Sequence, residues 1–159
     1  MTAIVELSRR KWLITASTFA VHATVVAATA NLPTAVDLKL DLKIALSSHR
    51  PLLVMVSLEG CPFCKIVREN YLAPMREREG LAVVQIDMRS KATVVDFLGK
   101  PWTHDALIRS WGIKVAPSVL FFGQDGVEVA ERMVGGYIPD FYGSYLNDRL
   151  GAARIAVQS

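Results

Sequence analysis

Residues 52–58, Leu-Leu-Val-Met-Val-Ser-Leu, and 81–87, Leu-Ala-Val-Val-Gln-Ile-Asp, are two apolar runs of strand length. Runs without polar alternation suit strands that are covered on both faces of a sheet. Between them Gly60 breaks the first strand, and residues 61 to about 72 read as a helix with Cys64, Val67 and Tyr71 on one face. Pro74 bends or ends that helix, because proline has no N–H to donate and its ring crowds the preceding turn. Strand, helix and strand in this order make a βαβ unit, whose strands run parallel with a right-handed crossover. The chain is therefore expected to be α/β.

The remaining segments build on that unit. Residues 38–46 alternate Leu and Ile with mostly charged residues, which by strict period reads as a strand. Leu38, Leu42, Ala45 and Leu46 also share one helical face, and the Leu and Lys content favours the helix. Thr93 to Phe97 has strand propensity, and Gly99-Lys100-Pro101 turns the chain. Thr103 is placed to cap a helix with Leu107, Ile108 and Trp111 on its face and Gly112 at its end. Residues 118–122 are a third apolar strand, and Gln124-Asp125-Gly126 is a hairpin turn into residues 127–134. A last helix begins near Pro139, with Phe141, Tyr145, Leu146 and Leu150 inward. At 159 residues and 52% hydrophobic, the chain has room for one domain and its core, which excludes disorder and collagen-like repeats.

Residues 1–30 read as an export address, which leaves residues 31–159 for the domain. Arg9-Arg10-Lys11 precedes an uncharged stretch over 12–30, closed by Ala28-Thr29-Ala30, the small-x-small pattern of a signal-peptidase site. Those 19 residues approach the length that crosses a bilayer core of ~30 Å, so a retained membrane anchor is the rival reading. His22, recurrent Thr and Ser, and Ala in preference to Leu keep the stretch only modestly apolar and favour cleavage after Ala30. Ser8-Arg9-Arg10-Lys11-Trp12-Leu13 resembles the twin-arginine motif, so both Sec and Tat export stay open. Either route implies the bacterial periplasm, where a cysteine pair has redox work to do. The net charge of +3 owes +2 to residues 1–30. The balanced remainder holds no Lys/Arg run and offers no footing for nucleic acid.

Only Cys61 and Cys64 are available for thiol chemistry, spaced Cys-x-x-Cys. That count excludes a disulfide scaffold and leaves a Cys-only zinc site two ligands short. The pair stands where a buried strand turns into a helix. Unpaired N–H groups and the dipole at a helix N-terminus favour an anion, and thiolate is the reactive form, so Cys61 is the expected nucleophile. Cys64, one turn on, is placed to resolve a mixed disulfide on Cys61 intramolecularly. Pro62 fits the first helical turn, where its missing N–H costs nothing. A zinc or copper site would need His49 and His104, which are isolated in the sequence. Two inert core cysteines fit worse, since Gly60 and Pro62 would be poor neighbours for a core strand.

These residues resemble the thioredoxin family over about residues 36–150. The match rests on Glu59-Gly60-Cys61-Pro62-Phe63-Cys64-Lys65, on Gln85-Ile86-Asp87, and on the run from Gly112 through Ala116-Pro117 to Phe122. It continues in Asp125-Gly126 and in Gly135-Gly136-Tyr137 before the terminal helix. More narrowly, the chain is similar to exported thioredoxin-like proteins of Gram-negative bacteria, including those associated with sulfur oxidation. The resemblance implies a thioredoxin fold, a central mixed four-stranded sheet flanked by helices, with an extra N-terminal helix. It implies that Pro117 is a cis-proline facing the Cys pair and that the Ala116 backbone pairs with a bound substrate strand. Pro62 and Phe63 complete the implied substrate-binding surface.

The departures from the family pattern concern the site. Gly60 stands where thioredoxins carry Trp, Pro62-Phe63 replaces their Gly-Pro, and Ala116 replaces the common Thr. Met55 occupies the position of the family's buried Asp, the proton acceptor for the second cysteine. Proton transfer from Cys64 is then expected to use water or another group, with Glu59 and Lys65 nearest in sequence. Trp102, Trp111, Tyr137 and Phe141 either line the surface beside the pair or pack in the core, and packing is favoured for most of them.

The resemblance implies a periplasmic thiol–disulfide oxidoreductase working through a Cys61–Cys64 disulfide, with no nucleotide, flavin or metal. It implies a monomer that serves oxidised periplasmic protein clients and draws electrons from a membrane thiol transporter. Phe63 stands where strong oxidants often carry His, and neither a large helical insertion nor a dimerisation domain is seen, which favours a reductase. Pro62 argues mildly for the reverse direction, an oxidase or isomerase. A copper-handling module and a redox-inert docking module are the alternatives of other classes. Cys-Pro-aromatic-Cys also occurs in glutaredoxins, yet nothing marks a glutathione site.

Overall fold

The computed structural model describes residues 31–136 and 139–158. Leu52–Ser57 (β1) is buried at every residue, and its side chains alternate between two cores. Leu53 and Met55 face one cluster, whereas Leu52, Val54 and Val56 face the other. An unbroken apolar run is the sequence form of such a strand, since each large aliphatic side chain contributes about 1.5–3 kcal/mol on burial.

Val83–Asp87 (β2) lies parallel to β1, pairing Leu53 with Val83 and Ser57 with Asp87. On the other side of β1, Ser118–Phe122 (β5) runs antiparallel, and Glu128–Val134 (β6) pairs antiparallel with β5. The sheet order is β2-β1-β5-β6, a mixed four-stranded sheet with helices on both faces. Leu38–Ser47 (α1) is the extra N-terminal helix, and the Asp37 side chain caps it by accepting from Leu40 N–H at 2.9 Å. It packs with His104–Ser110 (α4) on one face. Thr103 caps α4 through Ala106 N–H at 3.2 Å.

The other face carries the helix that follows the cysteines and the terminal helix Pro139–Gln158 (α5). Pro62–Val67 (α2) does not end before Pro74. It passes through a π-helical turn, Arg68–Leu72, into Ala73–Glu79 (α3). The wider turn closes with Ala73 N–H bonded to Arg68 C=O, so Pro74 falls in the first turn of α3, where no N–H is required.

Two further readings need correction. The inward stripe of α5 is Tyr142, Leu146, Leu150, Ala153 and Val157, while Phe141 and Tyr145 are exposed. Strand structure near residue 93 is shorter than expected. Thr93–Val95 (β3) pairs with Pro101–Thr103 (β4) in a separate hairpin. Its turn is held by the Asp96 carboxylate, which accepts from Leu98 N–H, Lys100 N–H and Trp102 Nε1–H at 2.7–2.9 Å.

Segment 33–37 runs from β2 to β3, with Ala35 N–H donating to Gln85 C=O and Gln85 N–H to Pro33 C=O, both at 2.8 Å, and Val95 N–H donating to Val36 C=O at 2.9 Å. Buried His104 locks this edge. Its Nδ1 accepts from Asp87 N–H at 3.2 Å, so Nε2 carries the hydrogen and donates to Ala35 C=O at 3.1 Å. Residues 1–30, expected to be an export signal, and Tyr137 lie outside the described residues. Among the described residues no helix is long and apolar enough to cross a membrane.

Candidate active site

Gly60, at φ 73°, turns the chain from β1 into α2 in a conformation that side chains resist. Cys61 then stands at the N-cap, with its Sγ accepting Cys64 N–H at 3.2 Å. The same sulfur lies 3.9 Å from Ala116 C=O, within reach of a thiol donor bond. Cys61 is half-buried and Cys64 has no exposed surface. The two thiols are free. One sulfur is therefore open to a partner molecule and the other can meet only what is already attached to the first.

Burial pushes the Cys64 thiol up to about 11, with the adjacent Cys61 adding to the rise. Hydrogen bonding from Leu58 N–H and the Ser57 hydroxyl pulls the other way. A buried thiol remains protonated until a reaction draws the proton off.

Ala116 and Pro117, from the loop before β5, meet the pair from one side, and the Ala116–Pro117 bond is cis. Gly136 closes against this group. A Cβ there would come within 3.2 Å of Pro117 Cγ and 3.4 Å of Phe63 Cβ, so the backbone approach depends on the bare glycine. Phe63 is 45% exposed and Pro62 is exposed beside it. Cys61, Phe63 and Ala116 are thus brought into one surface over the buried Cys64 and Pro117, with Pro62 on its border.

On the β2 side of Cys61 a groove of about 1070 Å³ opens, lined among others by Lys65, Arg68, Gln85 and Asp87. Glu59 and Lys65 border it as exposed side chains, and neither is brought to Cys64. Of the side chains lining the groove, Ser57 acts on the Cys64 thiol, and it is tied to the helix and to β2. Arg68 donates through Nη2 to Ser57 Oγ at 3.0 Å and through Nε to Gln85 Oε1 at 2.9 Å, and Gln85 donates to Asp87 Oδ1 at 2.9 Å. Sequence reasoning missed Ser57 and Arg68. Their signal was positional: Ser57 shares the β1 face of Met55, and Arg68 follows Cys64 by one turn.

Trp111 packs with Phe97 and Phe122 in the opposite core, and Trp102 is tied to Asp96. Phe141 points away from the core. His104 spends both ring nitrogens on backbone groups and His49 is exposed, so neither joins the cysteines. Among the described residues no cluster of three or more His, Cys, Asp or Glu could hold a metal.

A family model for the thioredoxin-like domain matches residues 38–149. No curated protein matches the sequence. The solved C-terminal domain of DsbD from Neisseria meningitidis, in its oxidised form, is 21% identical. It covers 73% of this chain and 98% of its own, at a TM-score of 0.50. A poplar thioredoxin h is 23% identical over 70% of this chain and 86% of its own, at 0.48. The reduced periplasmic thioredoxin SoxS from Paracoccus pantotrophus is 22% identical over 65% and 98%, at 0.41. With the matched model spanning most of the chain and the cysteine pair at the start of its helix, this protein belongs to the thioredoxin-like family and is an enzyme of thiol–disulfide exchange.

Proposed function

We propose that the protein is a periplasmic reductase of oxidised protein cysteines. The observation that carries the exchange chemistry is the asymmetry of the pair, an accessible Cys61 capping a helix over a buried Cys64. Cys61 thiolate attacks a client disulfide, one client sulfur leaves as thiolate, and a Cys61–client mixed disulfide forms. Cys64 then attacks Cys61, the client's second sulfur leaves, and two electrons have passed from the pair to the client. The exposed Phe63 and the Ala116 C=O beside Cys61 support a client strand lying across Pro62, Phe63, Ala116 and Pro117.

Periplasmic location is supported by residues 1–30, read as a cleaved export signal ahead of a domain over 31–159. The reducing direction is supported by Phe63, which has no hydrogen bond to offer a thiolate where strong oxidants often carry His. The electrons come from a membrane thiol transporter, the protein acts as a monomer, and no cofactor beyond the Cys61–Cys64 couple takes part.

Trapping tests the roles. Cys64→Ser should accumulate mixed disulfides with protein clients, visible on non-reducing gels, and Cys61→Ser should accumulate none. Adducts on Cys64 alone would reverse the assignment, and a wild-type protein unable to reduce any protein disulfide would end the reading. Equilibration against glutathione buffers decides direction, with a value nearer thioredoxin's, about −270 mV, than the strong oxidant's, about −120 mV, expected.

A further inference from the structure

The resolving cysteine must lose its proton, yet among the described residues no carboxylate acts on it. Met55 shares its core cluster, as does Tyr142, whose buried hydroxyl finds no partner among the described residues. Cys61 caps the helix against Cys64, and in the π turn Arg68 bonds Ser57 while Tyr71 pairs with Tyr142. Gln85 and Asp87 of β2 stand behind Arg68.

Arg68 is oddly employed for a cation. Among the described residues it makes no salt bridge, and both of its side-chain bonds go to neutral oxygens. The Gln85 bond, itself braced by Asp87, holds the guanidinium in place, and the other bond fixes Ser57. A guanidinium can only donate, so Ser57 Oγ must accept from it and its own hydrogen is left for another acceptor. Ser57 is 1% exposed, at the inner wall of the groove. Ser57 lies on the β1 face of Met55, which packs in one cluster with Cys64, and its hydroxyl pulls the Cys64 thiol down.

We propose that Arg68 and Ser57 form a relay that stabilises the Cys64 thiolate, Arg68 as a positioning residue that polarises and aims the Ser57 hydroxyl at the sulfur, in place of an adjoining carboxylate base. The inference rests on the exchange reading above. Cys64 has no exposed surface, so its proton passes to the Ser57 oxygen as the Ser57 hydrogen leaves to water in the groove that Ser57 lines. The O–H so formed donates to the sulfur anion left behind. That anion attacks Cys61 Sγ. The Cys61–client bond breaks, the Cys61–Cys64 bond forms, and the departing client thiolate takes up a proton from water. A charge-assisted donor is stronger than a neutral one, which is what a buried anion requires.

The test is a pH titration of the Cys64 thiolate by its ultraviolet absorbance in a Cys61→Ser background, with folding checked by circular dichroism. Ser57→Ala and Arg68→Gln should each raise the midpoint by roughly half to one pH unit. Combined, they should raise it no further than Ser57→Ala alone, because Arg68 acts through the hydroxyl. Arg68→Lys and Ser57→Thr should restore most of the shift, and they carry the test if either first variant fails to fold. An unmoved midpoint in folded variants overturns the proposal. So does an Arg68→Gln shift of equal size with Ser57 absent, which would make Arg68 a bare charge acting through space. The titration needs no client, so it fails separately from the reductase reading, which fails when wild type reduces nothing.

Discussion

Cys64 couples the site to the stability of the fold. Its folded pKa, about 11, lies above the ordinary 9.0 because the thiol is buried. Below 9.0 the thiol is protonated in folded and unfolded chains alike, and the native burial is fully retained. Between 9.0 and 11 the unfolded chain ionises first, so stability falls as pH rises. Reduced wild type should therefore lose about 1–3 kcal/mol more than reduced Cys64→Ala across that interval, measured by urea unfolding at each pH. Parallel pH profiles for the two proteins would refute the shift. The cysteine pair itself was legible from spacing and from the glycine and proline around it. Ser57 and Arg68 were not, because a serine ending an apolar strand and an arginine on a helix are ordinary until their side chains are seen to meet.

Elements bounded by their own sequence were read well. β1 and β5 are unbroken apolar runs, and α1 and α4 begin at Asp37 and Thr103, whose side chains supply the caps. Elements that depend on distant partners were misjudged. Helix α5 turns Tyr142 rather than Phe141 inward because the sheet face it meets, and not aromatic content, sets its rotation. The β3–β4 hairpin is tied by Asp96 to residues up to six positions away, a pattern with no periodicity to betray it. At this scale His104 is the informative side chain, joining α4 to β2 and to segment 33–37. His104→Leu leaves the Asp87 N–H and the Ala35 C=O unpaired, at about 1–3 kcal/mol each, partly offset by the added apolar burial. A net loss of about 2–4 kcal/mol is expected in urea unfolding, with faster amide exchange at Ala35. A variant as stable as wild type, with exchange at Ala35 unchanged, would show that the bridge does not hold this edge.

At the scale of the whole molecule, the surface proposed for catalysis is assembled from three stretches far apart in the chain: the β1–α2 turn, the Ala116-Pro117 loop and Gly136. The N-terminal segment bears on where that surface operates. Protein recovered from the periplasm should begin at Asn31 by N-terminal sequencing, and an intact Met1 terminus in the membrane fraction would favour the anchor. Sequence by itself determined the α/β class, the parallel β1–β2 pair, the extra first helix and the placing of the cysteine pair at a strand-to-helix turn. Each depends on local chemistry: continuous hydrophobicity, side-chain caps, and two thiols one helical turn apart. Only the tertiary structure decided which faces turned inward and which groups reached Cys64. Those outcomes depend on side chains from β1, β2 and the helix converging across the chain, where the partly buried Arg68–Ser57 hydrogen bond joins residues that no local pattern links.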